Sequence, residues 1–177
     1  SSRVPHPPNA PTLDCKDIVV LHFQYVVWER MVSKQRWYQA WEHHKHGIKG
    51  PLDIYREYNH MAGGWNRDEI FPVDPSWLAG YDARGIAYCG LKGEEVTWWD
   101  REIIEYMAEV GKARFRKIAL WDQDWNRIAR ITKVDGDYSD PRSLYERFVH
   151  RALRMSQRHR SSLLTRGLEY VLRQQGW

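Results

Sequence analysis

The 177 residues carry 42 % hydrophobic and 28 % charged side chains, enough apolar material for one domain with a core of its own. No apolar run approaches the ~20 residues that a spanning helix needs; the longest, Ile18-Val19-Val20-Leu21, is only strand-sized. Cys15 and Cys89 stand alone, which excludes a disulfide framework and a cysteine zinc site and sets the expectation of a reducing, cytoplasmic location.

In chain order, the Pro-rich residues 1–16 (Pro5, Pro7, Pro8, Pro11) read as an extended lead-in, the scar of an upstream segment, and residues 17–177 as a single domain. Asp17 to Tyr25 is β-branched and aromatic, so a strand is expected there, covered on both faces. Residues 26–44 read as a helix. Trp28, Met31, Gln35, Tyr38 and Glu42 line one face, and Arg30, Lys34, Trp37 and Trp41 form a second stripe. Gly47 and Gly50 close it, and Pro51 opens a short helix through His60. The turn-rich stretch 61–93 leaves room for a brief helix around Ser76–Tyr81. A firm helix spans about 96–110 and stops at Gly111; Phe115 to Trp121 reads as a short strand or an irregular packed segment. Helices over about 141–157 and 161–175 follow. The expected fold is therefore helix-dominated α+β: one central buried strand, few short partner strands, and five or six helices.

Several side chains invite chemistry. His22, on the buried strand, is either a hydrogen-bonded core histidine or a ligand at a strand end. Lys34 with Arg30 can meet a diphosphate or an acceptor, or can lay long stems over the neighbouring indoles. His43-His44-Lys45-His46 lacks an acidic or cysteine partner nearby and reads as a solvated helix end. Trp98, Trp99, Trp121 and Trp125 suit a core better than a sugar-stacking site.

The net charge of +4 is uneven. Residues 141–177 hold eight arginines against Glu146 and Glu169, so the basic character is local to the C-terminus. Arg147, Arg151, Arg154 and Arg158 make one helical stripe, with Tyr145, Phe148, Val149, Ala152 and Met155 towards the other side. Such a stripe is either a solvated face or a binding face for an anionic membrane surface or nucleic acid. Nucleic acid is the less favoured partner, because no zinc spacing, RNP-like motif or helix-turn-helix accompanies it.

Val20-Leu21-His22-Phe23-Gln24-Tyr25, Trp28-Glu29-Arg30-Met31 and Lys34-Gln35-Arg36-Trp37-Tyr38 resemble the C-terminal region of bacterial family 2 glycosyltransferases of the GT-A type. Matches continue in order through Trp98-Trp99, Glu109-Val110-Gly111, Phe115, Leu120-Trp121-Asp122-Gln123-Asp124-Trp125 and Asp140-Pro141-Arg142-Ser143, covering about residues 17–157. The resemblance implies glycosyl transfer from a nucleotide-sugar to a sugar or lipid-linked acceptor, with this chain as the acceptor-side portion. It implies a divalent cation, Mn²⁺ or Mg²⁺, with His22 in the place of the family's later metal ligand. Lys34 and Arg30 would hold the diphosphate or the acceptor. The family's nucleotide-binding half, with its DxD motif, precedes this region, so another segment or chain would have to supply it. Asp122-Gln123-Asp124 spells DxD but falls where the family carries a tryptophan-rich structural motif, and its carboxylates are expected to cap a turn. No catalytic base stands out. The alternative is a non-catalytic interaction module, peripheral to the inner face of the membrane, that uses the basic C-terminal helix on an anionic membrane surface or on nucleic acid.

Overall fold

Every element among the described residues is a helix. The computed structural model describes residues 26–60, 72–88 and 90–177. They form α1 (Trp28–Trp41), α2 (Pro51–Tyr58), α3 (Ala79–Asp82), α4 (Trp98–Val110), α5 (Trp125–Thr132), α6 (Leu144–Ser156) and α7 (Leu163–Gln174). Among the described residues there is no strand, so the expected α+β class is corrected to all-α. The strand expected over 17–25, His22 included, lies outside the described residues.

The other strand candidate, Phe115 to Trp121, is the irregular alternative. A 3-10 helix over Lys112–Phe115 leads into tight turns. Local bonds serve the backbone: Ile118 N–H donates to the Phe115 carbonyl and Leu120 N–H to that of Ile118, both at 2.9 Å. Phe115, Ile118, Leu120 and Trp121 are all buried, a spacing that strict alternation would not deliver.

Side-chain caps fix the starts of α4, α5, α6 and α7, whereas α1 has none. Thr97 and Asp100 form a capping box on α4, and Ser143 and Glu146 form another on α6. The second box starts α6 at Leu144, three residues past the expected start at about 141. Asp124 accepts from Arg127 N–H and so caps α5, a helix that the sequence reading passed over. At the end of α1 the chain widens into a π-turn, Glu42–His46. Gly47, at φ 61°, closes it by donating to the Glu42 carbonyl.

Two apolar clusters hold the helices. One joins α1, α4 and α5 through Ala40, Ile103, Ile104, Met107, Trp125 and Ile128. The other joins α2, α6 and α7 through Leu52, Tyr55, Val149, Leu153, Leu172 and Trp177. Gly50 lets the C-terminus settle here, since a Cβ on it would stand 3.2 Å from the Trp177 carbonyl oxygen. A buried cation crosses the second cluster. Arg56, 4 % exposed, donates to Glu169 at 2.7 Å, Gln157 Oε1 at 2.7 Å, Ser156 Oγ at 2.8 Å and the Leu153 carbonyl at 3.2 Å.

Removing one partner of a buried ion pair strands the other, whereas an exposed pair contributes little. Arg56→Ala is therefore expected to lower the unfolding free energy by roughly 3–5 kcal/mol. Asp53→Asn, which breaks the exposed Arg173–Asp53 pair, should cost less than about 1 kcal/mol. Urea unfolding of the two variants checks this, and similar small losses for both would contradict it.

Candidate functional site

A polar junction docks α1 against the start of α4. Ser33 Oγ donates to Asp100 Oδ1 at 2.8 Å, and Thr97 Oγ1 donates to Asp100 Oδ2 at 2.8 Å. All three side chains are buried, with Asp100 held by hydroxyls and the Thr97 N–H. Further along α1, Arg36 reaches Asp122 with both arms of its fork, Nε to Oδ1 at 2.9 Å and Nη2 to Oδ2 at 2.8 Å. Arg142 grips Asp140 in the same way and extends Nη2 to the Trp121 carbonyl at 3.4 Å.

These links enclose one side of an open cleft of about 890 Å³. The face of α1 bearing Trp28, Val32, Gln35, Arg36 and Gln39 forms one wall. Tyr55, Tyr58 and Asn59 of α2 and its end form a second, and Trp121, Asp122 and Arg142 a third. Arg154 enters from α6 and Arg158 from the 3-10 turn after it, and Glu29, Glu94 and Glu95 join the lining. Ring faces, amides, guanidinium groups and carboxylates thus share one space large enough for a small ligand.

The aromatic groups sit in low-dielectric surroundings. Burial pushes the Tyr55 phenol up to about 12. Burial also raises the Tyr58 phenol, helped by the hydrogen bond it donates to Glu42 at 2.5 Å. His150 borders the cleft from α6, its ring edge-on to Trp177 and its Nε2 3.2 Å from the Arg116 carbonyl. Burial, reinforced by the charge of Arg142, pulls this imidazole down to about 4, so it is neutral and donates to that carbonyl. Gln35 Oε1, on the α1 wall, is a buried acceptor without a donor.

The structure distributes the sequence candidates unevenly. Arg30 and Lys34 do not line the cleft. The Arg30 guanidinium lies 5.3 Å from the Trp99 ring centre and Lys34 Nζ 5.7 Å from that of Tyr38, both in cation–π contact. Of the arginine stripe, Arg154 and Arg158 reach the cleft, Arg147 pairs with Asp140 at 3.4 Å, and Arg151 is exposed. Asp122 and Asp124 are committed to Arg36 and to the α5 cap. Trp99, Trp121 and Trp125 are buried, whereas Trp98 is half exposed.

The His43–His46 run follows the end of α1 with Lys45 and His46 exposed, and its side chains find partners elsewhere in the chain. His43 Nε2 meets the Arg114 carbonyl at 3.0 Å, His44 and Lys45 meet Glu109, and His46 packs on Trp41. Among the described residues no three His, Cys, Asp or Glu side chains converge to hold a metal ion. His22, the ligand that the resemblance implies, lies outside the described residues.

Sequence reasoning assigned no role to Arg36, Tyr58, Asn59 or Arg142. Arg36 and Arg142 stand inside the quoted motifs, but Arg36 finds its bidentate partner Asp122 86 residues away, and Arg142, gripping Asp140 beside it, reaches the Trp121 carbonyl across 21 residues. No protein-family model, curated protein or solved structure matches this chain.

His150 supplies a pH test. Its folded pKa lies below the usual 6.5, so the unfolded state binds the proton first as pH falls. Stability is complete above about pH 6.5 and is lost progressively down to about pH 4, by roughly 3 kcal/mol from this group. Urea unfolding across this window should show a steeper decline for the wild-type chain than for His150→Gln; identical slopes would contradict the assignment.

Proposed function

We propose that this chain forms the acceptor-side portion of a glycosyltransferase that draws its sugar from a nucleotide-sugar. One observation carries the reading. Segments with the family-like motifs, far apart in sequence, line a single cleft: Trp28 to Arg36, Trp121 to Gln123, and Arg142. The side chains there suit a phosphorylated sugar. Tyr55, Tyr58, Trp28 and Trp121 provide ring surface for the C–H face of a pyranose. Asn59, Gln35 and Gln39 provide hydrogen bonds for hydroxyls, and Arg154 and Arg158 provide positive charge for a phosphate.

Acceptor activation needs a carboxylate within reach of a hydroxyl. In the lining, Glu95 pairs with Arg127, while Glu29 and Glu94 form no ion pair among the described residues. Either of these two can take the acceptor proton as the hydroxyl oxygen bonds to the anomeric carbon and the bond from that carbon to the diphosphate breaks, the nucleoside diphosphate leaving with the electron pair. His22 would supply the ligand to Mn²⁺ or Mg²⁺ that the resemblance implies. The described cleft holds no donor set for that ion, so none of these roles is routed through it. Arg30 and Lys34 lie over aromatic rings, and their assigned contact with phosphate passes in this reading to Arg154 and Arg158.

Titration with glucose 1-phosphate, and separately with UDP-glucose plus Mn²⁺, tests this by tryptophan fluorescence. Glucose 1-phosphate is expected to give a saturable change. Arg154→Ala, which alters an exposed side chain, should weaken the binding by about tenfold or more, the worth of a charge-assisted hydrogen bond. The absence of a saturable change with both probes would overturn the proposal.

A further inference from the structure

The α6–α7 corner presents a surface that the cleft does not use. From Arg147 through Leu168 the chain contains six arginines and no Asp or Glu. Within this acid-free stretch the apolar side chains divide. Val149 and Leu153 turn inward to the second cluster. Phe148 and Met155, grouped with Val149 opposite the arginine stripe by periodicity, point outward, with Met155 71 % exposed. Leu144, Phe148, Arg151 and Met155 follow one another at helical spacing on the outer face of α6. Past the turn, Leu163 and Leu164 are 83 % and 88 % exposed at the start of α7, and Tyr170 and Val171 are exposed further along it.

Leucines this bare are costly in water, and they stand among cations rather than on a neutral patch. Arg151, Arg154, Arg160 and Arg166 are exposed and form no ion pair among the described residues. Apolar side chains flanked by unpaired arginines, without acids, match an interfacial helix lying in an anionic lipid surface. Nucleic acid would satisfy the arginines but leave Leu163, Leu164 and Met155 in water.

We infer that the α6–α7 corner docks this chain onto an anionic lipid bilayer, with Leu163, Leu164 and Met155 entering the headgroup–acyl boundary and the arginines meeting lipid phosphates. No helix among the described residues is long and apolar enough to cross a membrane, so the contact is peripheral. The inference goes beyond the glycosyltransferase reading and stands without it. Where both hold, the cleft opens beside the headgroup layer, since Arg154 of the cleft adjoins Met155, and the acceptor is lipid-linked.

Flotation of the full chain with vesicles of phosphatidylcholine containing about a third phosphatidylglycerol tests it, against pure phosphatidylcholine. Binding to the anionic vesicles only is expected. The double variant Leu163→Ser/Leu164→Ser should lose it, and Arg151→Gln/Arg160→Gln should weaken it by about thirtyfold at moderate salt. None of these four residues lines the cleft, so glucose 1-phosphate binding should be unchanged in both variants, and failure of one proposal leaves the other readable. Circular dichroism and thermal unfolding matching the wild-type chain show that the variants are folded. Three results would each overturn the inference: no flotation at low salt, equal flotation with neutral vesicles, or a leucine variant that binds like wild type. Tight binding to random-sequence duplex DNA that only the arginine variant weakens would assign the surface to nucleic acid and also overturn it.

Discussion

The position of α6 and α7 depends on one buried cation. Arg56 leaves water with its donors matched by Glu169, Gln157, Ser156 and the Leu153 carbonyl. The four bonds fix three points: the C-terminal turn of α6, the 3-10 turn after it, and the middle of α7. A guanidinium suits this task because its planar fork holds several acceptors at set angles. Once α6 is fixed, its two faces acquire separate roles. Val149, His150 and Leu153 go inward, Arg154 turns to the cleft with Arg158 of the following turn, and Phe148, Arg151 and Met155 remain outside.

The opposite wall is set by polar contacts of a different kind. Ser33 and Ala40, small residues seven apart on α1, allow that helix close to α4. Asp100 completes the α4 cap while accepting from Ser33, so helix initiation and helix packing are decided at one carboxylate. Arg36 and Arg142 then tie α1 and the segment before α6 to Trp121 and Asp122. The cleft is the space these ties leave open, and its polar lining follows from using polar side chains as the struts.

Local signals carried most of the helices into view from the sequence. Pro51, Gly47, Gly111 and the periodicity of Trp99, Ile103 and Met107 place three of them to within a few residues. α5 was also signalled, by Asp124 ahead of Trp125, Ile128 and Ala129, but the expectation for Asp122 and Asp124 stopped at a capped turn, whereas Asp124 caps a helix. The α+β expectation rested on 17–25 and on 115–121, and the latter packs through turns because four of its apolar groups share one core. The cleft was harder to see. Arg36 meets Asp122 across 86 residues and Arg56 meets Glu169 across 113, and no local pattern announces such pairs. The outward turn of Phe148 and Met155 likewise depends on which face of α6 Arg56 draws in.

The proposed function requires that the cleft bind a sugar phosphate. The most direct measurement is a ¹H–¹⁵N spectrum of the tryptophan indoles during titration with glucose 1-phosphate. Trp28 and Trp121 line the cleft, while Trp77 and Trp177 do not. Saturable shifts at Trp28 and Trp121, with Trp77 and Trp177 unmoved, are the predicted result. Shifts confined to Trp77 and Trp177, or no shift at any indole at saturating probe, would contradict it.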